Sequence, residues 1–343
     1  MRKKNKALVF FSAGVGDSII LVPLVNELRK NGYDVTGLFN SPFECESIFE
    51  NTLLFDSIKV RKSKLSLILF ALFRFRKFNA VFLNNFSYSL FGQLVSAIMG
   101  KQIFTNHKID KLSFFSNFVH FREPKNDIPD ALQNMLLFNQ EARIENLDFN
   151  LHFKNQQNNK FKLPSKYIVV QVSSANNKAP FKNWPFNNWL RLFQRLSNTN
   201  IVLLGDKNEI HLNNSMDSIN YPNVISLIGR TKLNDVLEII SRADFYVGLD
   251  SGLMHMAVAL DKPTFTIWGA SNPKLYGYDW KGSNHKSVSL NLPCSPCSSW
   301  LNPNISRVSN PLSCPDFKCI NDLSVELVIK ELYDFLQVNR IDL

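Results

Sequence analysis

Short apolar segments alternate with amphipathic ones along most of the chain. Residues 7–12, 35–39 and 80–83 are apolar and rich in β-branched or aromatic side chains, which predicts buried strands. Between the first two, the apolar positions of residues 18–30 recur every three or four residues, which predicts a helix with a kink or a late start at Pro23. Strands that alternate with helices indicate an α/β protein with parallel, doubly wound sheets.

The alternation starts a second time in the second half of the chain. Residues 167–172 and 201–204 are predicted strands of the same buried type. Residues 154–162, KNQQNNKFK, are polar and without periodicity, and this composition is typical of a linker. We therefore predict two domains, residues 1–155 and 163–343, each with its own parallel sheet.

The segment 243–270 contains the strongest candidate site. Its first strand ends at Asp250-Ser251-Gly252, and an apolar helix follows over residues 253–260. The start of such a helix presents unpaired backbone N–H groups and a positive dipole end at the carboxyl edge of the sheet, which together suit a phosphate. Ser251 adds a hydroxyl group there.

Two interpretations of this segment stay open from the residues alone. In one, Asp250 holds a hydroxyl group of a ligand that binds at the helix start. In the other, the segment is an ordinary strand–helix corner, in which Asp250 is an N-cap and His255 is a buried helix histidine.

The residues Asp250-Ser251-Gly252-Leu253-x-His255, with Pro263-Thr264 and Trp268-Gly269 after them, resemble the donor-site segment of glycosyltransferase family 9. This family comprises the ADP-heptose:lipopolysaccharide heptosyltransferases, and it usually has threonine where this chain has Ser251. The resemblance implies the GT-B fold, in which two Rossmann-like βαβ domains face each other across a cleft. It also implies that the donor contacts Asp250, Ser251, Gly252, Leu253 and His255.

The loop after the first strand, Gly14-Val15-Gly16-Asp17, lacks the third glycine of a dinucleotide-binding fingerprint, which disfavours a dehydrogenase. Asp17 either caps the following helix or, at the carboxyl edge of the sheet, takes a proton from an acceptor hydroxyl. The pattern Gly16-Asp17-x5-Pro23 resembles the family's N-terminal signature, whose aspartate is the proposed general base. The resemblance therefore implies a catalytic role for Asp17.

The loop after the strand at 167–172 offers hydroxyl groups at Ser173 and Ser174 and positive charge at Lys178 and Lys182. Lys182-x-Trp184-Pro185 resembles the family's Lys-x-Trp-Pro element, which implies that Lys182 neutralises the leaving diphosphate. Because this loop is longer than is usual in the family, Lys178 remains the alternative. In the simpler interpretation, both lysines are solvated side chains on the protein surface.

Gly205-Asp206-x2-Glu209 ends the next strand of the second domain. A carboxylate at this edge can hold ribose hydroxyls, and the resemblance assigns that role to Glu209. The alternative is an acidic residue that stabilises the start of the following helix.

Charge and hydropathy narrow the possible partners. The chain has 39 lysine and arginine residues against 29 aspartate and glutamate residues, a net charge of +10 that favours anionic partners. Nucleic acid is disfavoured, because the sequence has no zinc-finger spacing, RNP-like motif or long basic tail. No run approaches the roughly 18 apolar residues of a membrane span, and residues 7–11 are too short for a signal peptide. We therefore expect a cytoplasmic protein.

Residues 59–78 combine an apolar core, residues 65–73, with basic residues on both sides. This pattern predicts either a buried helix with solvated ends or a surface that meets anionic lipid and the phosphates of a lipid-linked acceptor. The second interpretation predicts peripheral contact with the cytoplasmic face of the inner membrane.

Four of the five cysteines lie close together in the sequence, as Cys294-x2-Cys297 and Cys314-x4-Cys319. Structural zinc is one interpretation, and reduced thiols of a cytoplasmic protein are the favoured one. The chain contains no Asp-x-Asp pair, which disfavours a metal-chelating transferase mechanism. We predict no cofactor and no catalytic metal.

Together these observations predict an inverting glycosyltransferase whose second domain binds a nucleotide-diphosphate sugar. By the resemblance, the donor is ADP-heptose and the acceptor is an anionic, lipid-linked inner-core sugar of lipopolysaccharide. Two alternatives share the fold: a nucleotide-sugar epimerase, and a non-catalytic protein that binds a nucleotide sugar.

Overall fold

A computed structural model gives the fold. It describes residues 4–41, 43–83, 90–106, 118–125, 127–154, 160–174, 179–213, 221–297 and 311–342. The chain divides into two compact units, Met1–Lys154 and Asn155–Leu343. Residues 155–159 of the predicted linker and the predicted site residue Lys178 lie outside the described residues.

The first unit contains a six-stranded parallel sheet in the order β3-β2-β1-β4-β5-β6. Its strands are β1 Lys6–Phe11, β2 Asp34–Phe39, β3 Ser57–Val60, β4 Phe78–Leu83, β5 Gly100–Thr105 and β6 Val119–Phe121. The central strand β1 is apolar and almost wholly buried, because helices cover both faces of a parallel sheet. The edge strand β6 was not predicted from the sequence, since it is only three residues long and half exposed.

The helices of the first unit are α1 Val15–Ile20, α2 Val22–Lys30, α3 Lys64–Phe73, α4 Leu90–Met99 and α5 Asp130–Met135, with 3-10 turns at Cys45–Phe49 and Ile144–Asn146. The single helix predicted over residues 18–30 is thus two helices that meet at Leu21, two residues before Pro23. A proline at the second position of a helix loses no backbone hydrogen bond, which explains why α2 starts there.

The second unit contains a second six-stranded parallel sheet, in the order β12-β11-β10-β7-β8-β9. Its strands are β7 Ile168–Val170, β8 Ile201–Leu203, β9 Val224–Ser226, β10 Tyr246–Leu249, β11 Thr264–Ile267 and β12 His285–Val288. Strand β12, HKSV, escaped prediction because its sequence is polar, and it lies at the edge of the sheet.

The helices of the second unit are α6 Phe186–Arg195, α7 Leu233–Arg242, α8 Gly252–Ala259, α9 Pro273–Tyr276, α10 Lys318–Asn321 and α11 Val325–Asn339. The helix predicted over residues 207–216 begins as a 3-10 turn, Lys207–Glu209, and its end lies outside the described residues. The apolar face of α11 packs on the sheet through Val328, Leu332, Phe335 and Leu336.

The α/β fold with two Rossmann-like parallel sheets confirms the predicted fold class. In each sheet, the loops that leave neighbouring strands at the carboxyl end emerge side by side, and such edges bind ligands in open α/β sheets. In the second unit, the adjacent strands β10, β7 and β8 bring together the loops that carry the predicted donor-binding residues. Within the described residues, no helix combines the length and apolarity needed to cross a membrane.

Candidate functional site

Hydrogen bonds join the loop that follows β7 to the loop that follows β10. The Ser174 hydroxyl donates to the carbonyl oxygen of Asp250 at 3.1 Å. The backbone N–H of Ser174 donates to Oδ1 of Asn183 at 2.8 Å. Both ends of the segment that carries Lys182 are therefore attached to the carboxyl edge of the sheet.

Lys182 and Asp250 form an ion pair at this edge, with 2.6 Å between Nζ and Oδ2. Their side chains are only 14% and 8% exposed. Burial of Asp250 opposes its ionised form, but the Lys182 ammonium outweighs this effect and holds the pKa of Asp250 below its usual value. The site therefore contains a carboxylate and an ammonium that are both held in place and largely shielded from water.

Gly269, just after β11, allows the Lys182 segment to lie this close to the sheet. A Cβ atom at this position would lie 2.7 Å from the carbonyl oxygen of Phe181. Phe181 is itself buried in a small apolar cluster with Ala179, Ala270 and Cys319. The 3-10 turn Pro180–Lys182 therefore packs on this cluster through Phe181, and Lys182 is its last residue.

Ser251 is the N-cap residue of α8 and has extended backbone angles, φ −157° and ψ 168°. Within the described part of the chain, its side chain makes no capping hydrogen bond. The hydroxyl donates instead to Oε1 of Gln171, which also accepts from the Tyr246 hydroxyl at 2.9 Å. Because the Ser251 hydroxyl bonds to Gln171, it does not occupy the first backbone N–H groups of α8. These groups can therefore bind a ligand.

The Tyr246 hydroxyl reaches this network because Gly248 leaves room for it. Tyr246 and Gly248 lie two residues apart on the same face of β10, and a Cβ atom at Gly248 would overlap the phenol ring. Tyr246 is completely buried, and burial raises the pKa of its hydroxyl, which therefore stays protonated as a donor.

His255 lies in the buried second turn of α8. Its Nδ1 is 2.6 Å from the Tyr278 hydroxyl, and the two rings meet edge to face. Burial lowers the pKa of His255 to about 4, so the imidazole is neutral at physiological pH. These contacts match the alternative of a satisfied helix histidine, and a contact between His255 and a donor remains a prediction.

Glu209 lies in the loop after β8 and is buried. Its Oε2 accepts a hydrogen bond from the backbone N–H of Asp206 at 3.0 Å, and it lies so close to Gly205 that no Cβ would fit there. Burial raises the pKa of Glu209, and the Ser173 hydroxyl beside it acts in the opposite direction. The capping role is thus present, whereas the ribose contact of Glu209 and the donor contact of Ser173 remain predictions.

Asp17 lies in the first unit, as the third residue of α1 and close to the carboxyl end of β1. Its Oδ2 accepts a hydrogen bond from the backbone N–H of Gly14 at 2.9 Å. This bond caps the helix from its third residue, with Gly14 rather than Asp17 at the N-cap position. It also fixes the direction of a half-exposed carboxylate, and the catalytic role of Asp17 remains a prediction.

Four residues of this site were not predicted from the sequence: Gln171, Asn183, Tyr246 and Tyr278. Gln171 could have been found, because a polar residue directly after the buried strand β7 is typical of a binding loop at the edge of the sheet. Tyr246 counted only as an apolar strand residue, and no local signal marks Tyr278, which contacts His255 from 23 residues away.

The zinc alternative concerns Cys294, Cys297, Cys314 and Cys319. No group of three or more His, Cys, Asp or Glu residues that could hold a metal ion occurs among the described residues. None of the five cysteines forms a disulfide. Cys319 packs in the apolar cluster with Phe181, and burial raises the pKa of its thiol to about 11.

A family model described as glycosyltransferase family 9 (heptosyltransferase) matches residues 124–305, more than half of the chain. The chain belongs to glycosyltransferase family 9. The predicted family is thereby confirmed, and the match includes Lys182 and every predicted donor-binding residue of the second unit.

Curated relatives of this family 9 chain are heptosyltransferases. Lipopolysaccharide heptosyltransferase 1 of Salmonella typhimurium is 30% identical over 100 residues, 28% of this chain and 31% of the relative. Lipopolysaccharide heptosyltransferase 2 of the same organism is 29% identical over 119 residues, 33% of this chain and 34% of the relative. The chain thus spans about a third of the length of these relatives.

Solved structures share the whole fold. The structure of E. coli ADP-heptose lps heptosyltransferase II has a TM-score of 0.70 at 17% identity and covers 98% of this chain and 99% of its own. The structure of E. coli heptosyltransferase WaaC with ADP has a TM-score of 0.66 at 16% identity. The match covers 96% of this chain and 99% of the WaaC chain. At these identities the likeness concerns the fold alone.

Proposed function

We propose that this family 9 chain is an inverting glycosyltransferase that moves a heptose from ADP-heptose to an inner-core sugar of lipopolysaccharide. The names of its curated relatives support the reaction class and the acceptor. The structures of E. coli WaaC with ADP and with ADP-2-deoxy-2-fluoro heptose support the donor. The observation that carries the proposal is the buried Lys182–Asp250 pair beside the start of α8.

The diphosphate of the donor would bind where the Lys182 ammonium and the first N–H groups of α8 lie together. Negative charge develops on the leaving diphosphate as the sugar departs, and donors that are already in place stabilise it without reorganisation. Asp250 supports this role by holding the ammonium in one position, and the network of Ser251 with Gln171 leaves the helix start accessible. This arrangement neutralises the diphosphate with a lysine and a helix dipole.

Asp17 would supply the general base. Its carboxylate takes the proton from an acceptor hydroxyl, the oxygen of that hydroxyl attacks the anomeric carbon, and the bond from that carbon to the diphosphate breaks. Attack from the side opposite the diphosphate inverts the configuration at the anomeric carbon. The Gly14 N–H that binds Oδ2 of Asp17 supports the role by orienting the carboxylate.

The other residues predicted to contact the donor would bind its nucleoside and its sugar. Glu209 and Ser173 lie in adjacent loops at the edge formed by β7 and β8, where they would hold ribose hydroxyls. Ser174, Gly252 and Leu253 line the start of α8 together with Ser251. His255 would act as a neutral hydrogen-bonding side chain, because its pKa lies near 4.

A donor and acceptor screen with the purified full chain tests the proposal. Release of nucleotide from ADP-, GDP- and UDP-sugars is measured with and without a lipid A–Kdo acceptor, and the product is analysed by mass spectrometry and NMR. We expect ADP release from ADP-heptose that depends on the acceptor, with one heptose added in inverted configuration. Equal nucleotide release without acceptor would contradict transfer and indicate an epimerase. Donor binding without turnover in any arm would contradict an enzyme and indicate a binding protein.

A further inference from the structure

Helix α3 in the first unit is apolar on two opposite faces. Its inner face, Leu67, Phe70 and Ala71, packs in the core that also contains residues of β1, β4 and α4. Its outer face consists of Leu65, Ile68, Leu69, Leu72 and Phe73, which are 67%, 37%, 47%, 58% and 77% exposed. These positions follow the i, i+3, i+4, i+7, i+8 spacing of a single stripe on a helix.

An exposed stripe of this size is unusual on a protein that is surrounded only by water. Such contiguous apolar surface marks a site of interaction with a protein or a membrane. The stripe continues past the end of the helix, since Phe75 is 65% exposed as well. The question is therefore which partner the outer face of α3 meets.

The stretch of sequence that contains α3 carries charge of one sign. Residues 57–109 contain nine lysine and arginine residues and no aspartate or glutamate, so this stretch carries +9 of the chain's net charge of +10. The rest of the chain is close to neutral. The positive field is therefore concentrated on the part of the first unit that contains α3.

Three of these cations line an open pocket of about 420 Å³ beside the apolar stripe: Lys59, Arg61 and Arg74. The guanidinium groups of Arg61 and Arg74 lie over the Phe70 ring, at 5.1 and 5.7 Å from its centre. No acidic side chain of the described residues forms an ion pair with any of the three. By contrast, Lys62 pairs with Glu46 at 3.4 Å.

We propose that this surface docks the protein on an anionic lipid bilayer. The outer face of α3 enters the boundary between headgroups and acyl chains, and lipid phosphates bind Lys59, Arg61 and Arg74. A bilayer supplies apolar contact and dense negative charge at once, which is the combination that this surface complements. A second copy of the chain complements it poorly, because it would bring two strongly positive surfaces together.

Vesicle flotation of the purified full chain tests this proposal without donor or acceptor, so its outcome is independent of the proposed reaction. One set of vesicles is phosphatidylcholine alone, and the other contains phosphatidylglycerol as well. We expect the wild type to float with the anionic vesicles only, and less at high salt, because salt screens the attraction.

Two variants separate the charge from the apolar contact. One is Lys59→Glu/Arg61→Glu/Arg74→Glu, and the other replaces three exposed apolar residues, as Leu69→Ser/Leu72→Ser/Phe73→Ser. The matched control, Lys166→Glu/Arg195→Glu/Lys232→Glu, changes the same amount of charge at exposed positions of the second unit. Circular dichroism checks that each variant is folded.

We expect both α3 variants to lose about tenfold or more in partition onto anionic vesicles, while the control stays within about twofold of the wild type. The proposal is overturned if the wild type binds neither kind of vesicle or binds both equally. It is also overturned if the α3 variants float like the wild type. Sedimentation that shows a wild-type dimer, lost in the α3 variants, would assign the surface to self-association instead.

Discussion

Nζ of Lys182 lies 2.6 Å from Oδ2 of Asp250, and both side chains are largely buried. The pair connects the segment after β7 to the loop after β10, next to the start of α8. The sequence indicated a separate role for each residue, a phosphate contact for Lys182 and a cap or hydroxyl contact for Asp250. The ion pair couples them, so that a change in either residue alters both.

Substitution of Lys182 should therefore reduce stability as well as activity. In Lys182→Met, Asp250 remains as a buried carboxylate without its partner, and we expect a loss of about 3 kcal/mol in the free energy of unfolding. Turnover should fall about 100-fold or more, because the charge on the leaving diphosphate is no longer stabilised. Urea unfolding and acceptor-dependent nucleotide release measure the two effects.

The double variant Lys182→Met/Asp250→Asn separates these effects. Removing both charges leaves no unpaired buried ion, so we expect most of the lost stability to return. Activity should stay at the level of Lys182→Met. If the double variant regains activity together with stability, Lys182 has only a structural role and the proposed function of its ammonium is wrong.

Asp17→Asn should remove the general base and keep the helix cap, since the Asn side-chain oxygen can still accept from the Gly14 N–H. We expect turnover to fall about 10²- to 10⁴-fold, with donor affinity unchanged when it is measured by calorimetry. The protein should unfold within about 1 kcal/mol of the wild type.

Asp235→Asn is the matched control for Asp17→Asn. Asp235 occupies the same helix position in α7, where its Oδ2 accepts from the backbone N–H of Lys232 at 2.9 Å. Asp235 also pairs with Lys160 at 2.6 Å. A similar loss of turnover in both variants would attribute the effect to capping and remove Asp17 from the proposed chemistry.

Tyr246→Phe should weaken donor binding through Ser251. Without the Tyr246 hydroxyl, Gln171 loses one of the two hydroxyl groups that donate to its Oε1, and the Ser251 side chain at the helix start is less constrained. We expect KM for the donor to rise more than kcat falls, with a loss of about 1 kcal/mol in the free energy of unfolding.

Tyr167→Phe tests whether that effect is local. Tyr167 directly precedes β7. Its buried hydroxyl donates to the carbonyl oxygen of Ile239 at 2.7 Å. We expect a similar loss of stability with an unchanged KM. Equal KM values in Tyr246→Phe and the wild type would count against a role for the Gln171 network in donor binding.

Two buried histidines should make the folded state sensitive to mild acid. Burial lowers the pKa of His255 and of His285 to about 4, whereas the unfolded chain takes up these protons near pH 6.5. Their stabilising effect is therefore complete above pH 6.5 and is lost as the pH falls from 6.5 towards 4. At pH 5 the loss is about 2 kcal/mol for each histidine.

Urea unfolding of the wild type and of His255→Gln/His285→Gln at pH 7 and pH 5 measures this effect. Asp250 does not titrate between these values, because its pKa lies below 3.8. Glu209, whose pKa is raised, contributes with the opposite sign in both proteins, so the comparison cancels it. An equal loss of stability in the wild type and the variant would show that the two histidines do not cause it.

The strands could be predicted from the sequence mainly where both of their faces are buried. Apart from Lys6, strands β1, β7 and β10 are apolar on both faces, so their residues alone indicate a parallel sheet. Edge strands β6 and β12 are short or polar, and only hydrogen bonding to β5 and β11 makes them strands. Pro23 indicated the break between α1 and α2, which lies at Leu21 because a helix accepts a proline at its second position.

The sequence by itself determined the fold class, the family and the loops that carry the candidate chemistry, because strand burial and the motifs at strand ends are local properties. Tertiary structure decided the partners within the site: Lys182 with Asp250, Ser251 with Gln171, and His255 with Tyr278. It also decided that α3 presents a second apolar face outward. These relationships join residues that are distant in sequence, and only the order of strands in the sheet brings them within hydrogen-bonding distance.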